Sequence, residues 1–429
     1  TRVLSAGTLR DDALLSPRQS AVLGSVVRVA GRTGIAYADV STGELACIEV
    51  DGDAEQQLTS VMAELSRLEL AELLLQEGDT LPSLPCSPVL TRRASTIYDS
   101  LDAARDVLIK VYGGSSLHSF GLDNAPAAAV ASAVLLDYLI EMTPVGTPVM
   151  EPPRLYDIAG AMVLDPHTRR SLEMFVGLNG DPKNSLFSFL DQTVSPQGSR
   201  TLRRWLAQPL ISLEPLKKRH DCVGAFVRDT TLRIRLRTAL ASVGDLERAA
   251  QRLATRSLSP RQAVTLGTHL AAAAAVREIL GGKVPPALTE LYRELPDLEP
   301  LQTQIANALV PDPPPTFAEG GVMRREYDAT LDSLHSAAAV DRYWLLTLEN
   351  RERERTGIKS LKVAWNGVLG CYIEVTKPNL ALVPPDYQRR ASVANAERFT
   401  TAELLEHERR VKDNNARLAA HEQQLYAEF

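Results

Sequence analysis

The chain has 429 residues, a length that suggests two to four domains with buried cores. Its 47 basic and 53 acidic residues give a net charge of -6, so a polyanion must be held by a local patch. The sequence shows neither a signal peptide nor a long apolar run, so it predicts no membrane partner. Its four cysteines are too dispersed for a CxxC metal site and favour a reducing, cytoplasmic location; they are Cys47, Cys86, Cys222 and Cys371.

The first hundred residues predict a small α/β domain. Strand-like runs cover 22–29, 35–40 and 45–50, the last two joined by a turn at 41–43. From Glu55 the apolar residues recur at helical spacing, and 71–75 reads as another strand. Strand, helix and strand in this order indicate a βαβ unit.

Carboxylates near these strand ends raise one alternative function, a metal-dependent nuclease. The candidate ligands are Asp39, Glu44, Glu49 and Asp51. Solvated charge at strand ends is the ordinary explanation, and we favour it because spacing alone does not bring the four together.

Helical patterns dominate the middle of the chain. An alanine-rich helix is predicted from Ala125 to Met142, with Asp123 as its cap. In 164–210, apolar stripes surround a predicted turn at 195–198; the stripes are Leu186, Phe189 and Leu190, then Leu202 and Leu206. Four nearby residues suggest either a phosphate site or links between helix ends, and we favour the links: His167, Arg200, Arg203 and Arg204.

Two long helical patterns enclose residues 356–399. The first has a stripe at steps of four and three: Tyr327, Leu331, Leu334, Ala338, Asp341, Leu345 and Leu348. The second follows a capping box at Thr400 and Glu403, and its stripe is Leu404, Val411, Leu418 and Leu425. We expect an antiparallel coiled coil that holds its tip roughly 45 Å away, at about 1.5 Å per residue. The charged run 349–355 is interpreted as a solvated helix face.

The enclosed segment predicts a β-hairpin unit with a basic tail. Leu361, Val363 and Trp365 alternate with polar or small residues, and Asn366-Gly367 suits a two-residue type I′ turn. Lys377, Arg389, Arg390 and Arg398 follow, in a segment whose only acidic residues are Asp386 and Glu397. The tip is therefore locally basic.

Segments along the whole chain resemble the MutS family of DNA mismatch-repair proteins. TRVLSAGTLRDDALL and ADVSTGEL resemble its connector domain, LDPHTRRSLEMF and SLFSFLDQTVSPQGSRTLRRWLAQPL its core, and ERTGIKSLKVAWNGVLGCYIEVTKPNL with VPPDYQRRASVANAERFTTAEL its clamp. The resemblance implies a multidomain, mostly helical α+β fold. Its expected parts are an RNase H-like α/β connector (1–114), a helical core with a descending lever helix (115–355), a small β clamp (356–399) and a returning lever helix (400–429).

The resemblance also implies which residues contact double-stranded DNA. The family's backbone contacts fall on QRRASVANAER, hence on Arg389, Arg390, Asn395 and Arg398, and we add Lys377. The chain departs from the family at 391–393, where Ala-Ser-Val replaces a common Gln-Thr-Leu. For each arginine the ordinary alternative is an exposed or salt-bridged side chain.

The chain contains no G-x-x-x-x-G-K-[ST] motif. We therefore expect a non-catalytic fragment without a cofactor of its own, with ATP and Mg²⁺ in an ATPase domain beyond residue 429 and a mismatch-reading domain before residue 1. The resemblance implies a MutL-type partner at the connector and a second MutS subunit. The alternative is a MutS paralogue that acts as a branched-DNA-binding or interaction scaffold.

Overall fold

The computed structural model describes residues 5–8, 16–82, 84, 87–142, 149–157, 160–282, 285–366 and 370–429. Its contacts divide the chain into two compact units. The first comprises Thr1–Leu258 and Thr268–Glu299, and the second comprises Ser259–Gly267 and Pro300–Phe429.

The first unit contains a six-stranded mixed sheet. Its strands are β1 (Val22–Val29), β2 (Arg32–Asp39), β3 (Glu44–Val50), β4 (Glu72–Gln76), β5 (Val89–Arg93) and β6 (Arg154–Leu155). The strand order is β5-β4-β1-β2-β3-β6, with β1, β2 and β3 antiparallel and β4 parallel to β1. The predicted α/β character of the first hundred residues is confirmed.

Three helices accompany this sheet: α1 (Ala54–Leu68), α2 (Leu101–Tyr112) and α3 (Pro126–Met142). Because α3 is rich in alanine, its backbone lies close to the strands, and Ser25 Oγ donates a 2.7 Å hydrogen bond to the Ala131 carbonyl. Helix α3 therefore packs in the same apolar core as the strands of this sheet.

The predicted cap of α3 is wrong. The amides of Ala127 and Ala128 donate to a carboxylate oxygen of Glu49, which lies on β3. Asp123 instead contacts His118 Nδ1 at 2.8 Å. A carboxylate distant in sequence thus satisfies the free amides of the helix N-terminus.

The remaining helices up to residue 308 are mostly short. They are α4 (Pro166–Ser171), α5 (Leu186–Leu190), α6 (Pro196–Ala207), α7 (Leu213–Arg228), α8 (Thr230–Leu240), α9 (Leu246–Ala254), α10 (Pro260–Gly281), α11 (Thr289–Glu294) and α12 (Glu299–Ala308). The predicted turn at 195–198 is wrong because Ser195 caps α6 and accepts from the Gly198 amide. The apolar stripe on α5 is largely exposed, with Phe189 79% exposed.

Arg200 links two helices, as we favoured from the sequence. Its guanidinium donates to both oxygens of Asp245 and to Glu247, at the start of α9. In the described part of the chain, α10 alone is long and apolar enough to cross a membrane. That is weak evidence, because Val276 and Leu280 of this helix pack in an apolar core.

The second unit contains two long helices and a four-stranded sheet, which we call the tip sheet. The helices are α13 (Ala329–Thr356) and α14 (Ala402–Glu428). The tip sheet consists of β7 (Lys362–Asn366), β8 (Gly370–Thr376), β9 (Gln388–Ser392) and β10 (Ala396–Thr400), in the order β7-β8-β10-β9 with antiparallel neighbours.

The two long helices run antiparallel. Arg351 pairs with Glu403, Asp341 accepts from Asn414, and Asp328 contacts His421, so positions rise on one helix as they fall on the other. In the predicted stripes Leu331, Leu334, Leu348, Leu404 and Leu418 are buried. The polar exception Asp341 is also buried and is bound by Arg410. The side chain of Ala338 lies outside the described residues.

Two local predictions near the tip sheet need correction. Thr401, rather than Thr400, caps α14 by accepting from the Leu404 amide. Asn366 is still in β7, opposite Gly370, so it is not a central residue of a two-residue turn. Residues 367–369 lie outside the described residues.

Candidate nucleic-acid interface

One face of the tip sheet is apolar. The alternating residues Ile373 and Val375 of β8 point to the same side as Phe399 of β10, and all three are buried. Tyr387 and, from α14, Leu404 complete this core. The alternation leaves the other face of the tip sheet to polar side chains.

The polar face carries a row of charges across three strands. Lys362 of β7 lies opposite Glu374 of β8, which lies opposite Arg398 of β10. Arg398 Nε donates a 2.9 Å hydrogen bond to Glu374, and its guanidinium lies 4.3 Å from the ring centre of Tyr372. This arginine is therefore held flat and in a fixed orientation before any ligand arrives.

Arg389 lies at the other face of the sheet. It forms a 2.8 Å ion pair with Glu397, which lies opposite the core residue Val375. The Arg389 side chain is 58% exposed. It is the most accessible of the three predicted arginines.

Arg390 faces the long helix α14. Its guanidinium lies 3.2 Å from Glu408, which also accepts from Lys412 at 2.7 Å. Gly370 makes this approach possible: its φ is +72°, and a Cβ there would lie 2.2 Å from the Glu408 carboxylate. Burial acts to raise the pKa of Glu408, but Lys412 and Arg390 together lower it.

Lys377 and Asn395 meet at one end of the tip sheet. The Lys377 amide donates a 3.1 Å hydrogen bond to the Asn395 carbonyl, and both side chains are exposed. The structure thus joins Lys377 with Asn395. It places Arg398 on the polar face of the sheet, Arg389 on the other face and Arg390 against α14. The five predicted residues do not form one continuous patch.

Sequence reasoning missed Lys362 as a site residue. The strand pattern placed it on β7, but only the register aligns it with Glu374 and Arg398. Residues 356–400 contain six basic and three acidic side chains, in a chain with a net charge of -6. The local excess of positive charge is thus concentrated on this unit.

The charged end of α13 joins the helix to the tip sheet. Glu352 is only 4% exposed and accepts from Tyr387 Oη at 3.0 Å and from Arg355. Glu349 accepts from the Val363 amide at 2.8 Å. Burial raises the pKa of Tyr387, and the hydrogen bond with Glu352 raises it further. The interpretation of 349–355 as a solvated face is therefore wrong for Glu352, whereas Arg351, Glu354 and Arg355 are exposed.

The carboxylates of the nuclease alternative have other partners. Glu49 pairs with Arg32 and caps α3, Asp39 accepts from Ser41, and Glu44 accepts from Tyr37. No group of three or more histidine, cysteine, aspartate or glutamate residues suited to a metal ion occurs in the described ranges. These acids therefore stabilise strand ends.

Family models match both parts of the chain. The model of MutS domain II matches residues 21–144, and the model of MutS domain III matches residues 167–429. Residues 391–393, where the sequence departs from the family pattern, lie inside the second match.

Similar proteins match along the whole chain. A DNA mismatch repair protein MutS of Synechococcus sp. is 36% identical over 465 residues, covering 100% of this chain and 52% of that protein. The MutS of Dehalococcoides mccartyi is 35% identical over 428 residues, covering 99% and 49%. That of Symbiobacterium thermophilum is 36% identical over 440 residues, covering 100% and 50%. The chain spans about half the length of these relatives.

Proposed function

The chain belongs to the MutS family, and from this premise we propose that the tip sheet grips the DNA backbone without reading bases. The observation that carries the proposal is the polar face of the sheet, where Arg398 is held in place by Glu374 and Lys362 lies on the other side of Glu374. Phosphate contacts of this kind position a protein on DNA and carry no sequence information.

The ion pairs at the tip sheet suit an exchange of partners. Glu374 and Glu397 hold Arg398 and Arg389 in fixed orientations. A phosphate offers the planar guanidinium the same two-point acceptor as a carboxylate, with more charge. Because ion pairs that keep contact with solvent contribute about 0–1 kcal/mol, DNA can displace the carboxylates with little loss of stability.

The helices α13 and α14 would relay the state of an ATPase domain to the tip sheet. Support comes from the contacts of Glu349 and Glu352, which fasten the end of α13 to β7 and to Tyr387. A shift of α13 would therefore move the sheet with it. ATP and Mg²⁺ would act in that domain, and a MutL-type protein would bind the domain II region, with a second MutS subunit completing the assembly.

Mismatch repair is favoured over the scaffold alternative. The relatives named above carry the description of mismatch repair proteins and align with essentially the whole chain. A scaffold would bind forks or junctions more tightly than plain duplex, so a comparison of these DNAs separates the two functions.

The test measures the affinity for duplex DNA at several salt concentrations. It compares the original chain with a double variant that carries Arg398→Gln and Lys362→Gln. Each lost phosphate contact should reduce the slope of log K against log salt by about 0.9, so the pair should reduce it by about 1.8. Arg389 lies on the other face and is proposed as a separate backbone contact, so Arg389→Gln alone should reduce the slope by about 0.9.

Arg293→Gln is the matched control, since Arg293 is an exposed arginine of α11 outside the tip sheet. It removes the same charge and should leave the slope unchanged. Equal slopes for the control and the tip-sheet variants would refute the proposed DNA contact.

A further inference from the structure

A cavity of about 480 Å³ lies within the first compact unit and is lined by the N-terminal sheet and by helices α1, α4 and α6. Seven arginines and five carboxylate residues line it, and Arg18, Arg67 and Arg200 are also paired with carboxylates just outside the lining. The walls also include apolar side chains, among them Leu45, Leu68 and Phe175. Pockets of this size and mixed lining are typical of small-molecule sites.

Arg169 is the exceptional residue of the cavity. Its side chain is 8% exposed, yet its guanidinium donates no hydrogen bond within the part of the chain that the structure describes. The nearest carboxylate oxygen, of Glu69, lies 3.7 Å away. Burying a charged group without hydrogen bonds is costly, and such groups are normally paired. The distant contact with Glu69 leaves the Arg169 guanidinium without a close acceptor, and its nitrogens keep some exposure to the cavity.

A second arginine converges on the same place. The guanidinium carbons of Arg169 and Arg203 lie 5.0 and 4.3 Å from the ring centre of Phe175. Glu69 is shared, because its other oxygen pairs closely with Arg203. Burial, the largest cause, lowers the pKa of Arg169, and the nearby Arg67 and Arg203 lower it further against the opposing effect of Glu69. Two cations thus share one carboxylate.

We infer that this cavity binds a phosphate group, either the free ion or the phosphate of a small organic molecule, with Arg169 as the principal ligand and Arg203 beside it. Phosphate carries up to two negative charges at neutral pH, which suits two guanidiniums that share the single carboxylate of Glu69, and it presents several acceptors to a planar guanidinium. Duplex DNA is too wide for the cavity. The site is therefore independent of the DNA contact proposed for the tip sheet.

The test titrates the whole chain with inorganic phosphate by calorimetry at constant ionic strength, set with chloride. Arg169→Gln should weaken phosphate binding at least about tenfold, since it removes a charge-assisted hydrogen-bonding group. Arg170→Gln is the matched control: it is the next residue on α4 and is exposed, and it should bind like the original chain. Equal weakening in both variants, or no binding by the original chain, overturns the inference.

A third variant guards against misfolding. Glu69→Gln removes the carboxylate that competes for both arginines, and it should tighten phosphate binding several-fold. A gain in affinity cannot arise from loss of structure, and weaker binding by Glu69→Gln would contradict the site. Titration with adenosine monophosphate then identifies the source of the phosphate group. Tighter binding than inorganic phosphate indicates an organic phosphate, and equal binding indicates the free ion. In both cases Arg169→Gln must weaken the binding.

Discussion

The two sheets of this chain are stabilised in different ways. Apolar clusters cover the N-terminal sheet on both faces, one built around α3 and the other around α1. The tip sheet has a single apolar cluster, and charged side chains occupy its opposite face. A sheet buried on both faces has no surface left for a polyanion, whereas a sheet with one open face can present arginines to it.

This difference predicts where substitutions cost stability. In the N-terminal sheet, side chains and backbone are closely packed, so an added atom should lower the free energy of unfolding strongly. On the open face of the tip sheet, ion pairs in contact with solvent contribute little to folding. Changes there should alter DNA binding and leave the fold intact.

The largest effect is expected for Gly34→Ala on β2. A Cβ at this position would lie 2.0 Å from the carbonyl oxygen of Ala127 on α3, and backbone cannot rotate away as a long side chain can. We expect a loss of about 3 kcal/mol in the free energy of unfolding, measured by urea denaturation.

The control for this prediction is Gly160→Ala. A Cβ at Gly160 would meet no heavy atom within 4 Å, and the φ of Gly160 is not positive, so its substitution should change stability by less than about 0.5 kcal/mol. A small effect of Gly34→Ala, close to that of Gly160→Ala, would mean that α3 does not press against the sheet.

A smaller, pH-dependent effect is expected for Glu72→Gln on β4. Glu72 is 1% exposed; burial is the largest single influence and acts to raise its pKa, but hydrogen bonds from Ser5, Thr91, Gly7 and Tyr138 together lower it. Glutamine cannot accept all these hydrogen bonds. We expect a loss of about 2 kcal/mol at pH 7.

The sign of the pH dependence follows from the lowered pKa. The contribution of Glu72 is complete above the pKa of an unfolded glutamate, about 4.3, and disappears as the pH falls through the folded pKa. The stability difference between the two proteins should therefore narrow in acid. Glu77→Gln, at an exposed carboxylate just after β4, is the control and should change the stability at pH 7 by less than about 0.5 kcal/mol.

Local periodicity was sufficient to predict much of this fold. The strands of the first hundred residues and the two long helices each repeat a pattern within one segment, so their types could be read directly. The cap of α3 could not be predicted from a local pattern, because Glu49 and Ala127 are 78 positions apart in the sequence. Glu352 illustrates the same limit: its charged neighbours indicate solvent, while Tyr387, 35 residues later, buries it.

The candidate site was predictable in composition and not in arrangement. The basic tail identified Arg389, Arg390 and Arg398, but each has a carboxylate partner that only the folded chain reveals. Lys362 was missed because its neighbour Glu374 is set by strand register. A sequence pattern specifies which charges are present, and the pairing of strands decides which charges meet.

The smallest effect on stability is expected for the pair of Arg398 and Glu374. A double-mutant cycle with Arg398→Gln and Glu374→Gln should give a coupling below about 1 kcal/mol in urea denaturation, because both side chains remain in contact with solvent. A coupling of several kcal/mol would mean that the pair supports the fold and that the arginine is not free to exchange its carboxylate for a phosphate. With weak coupling, Glu374→Gln alone should strengthen duplex binding, since it releases Arg398 and removes a negative charge from the DNA-facing row. The charges on the open face of the tip sheet would then serve DNA binding and contribute little to stability, whereas apolar burial on both faces stabilises the N-terminal sheet.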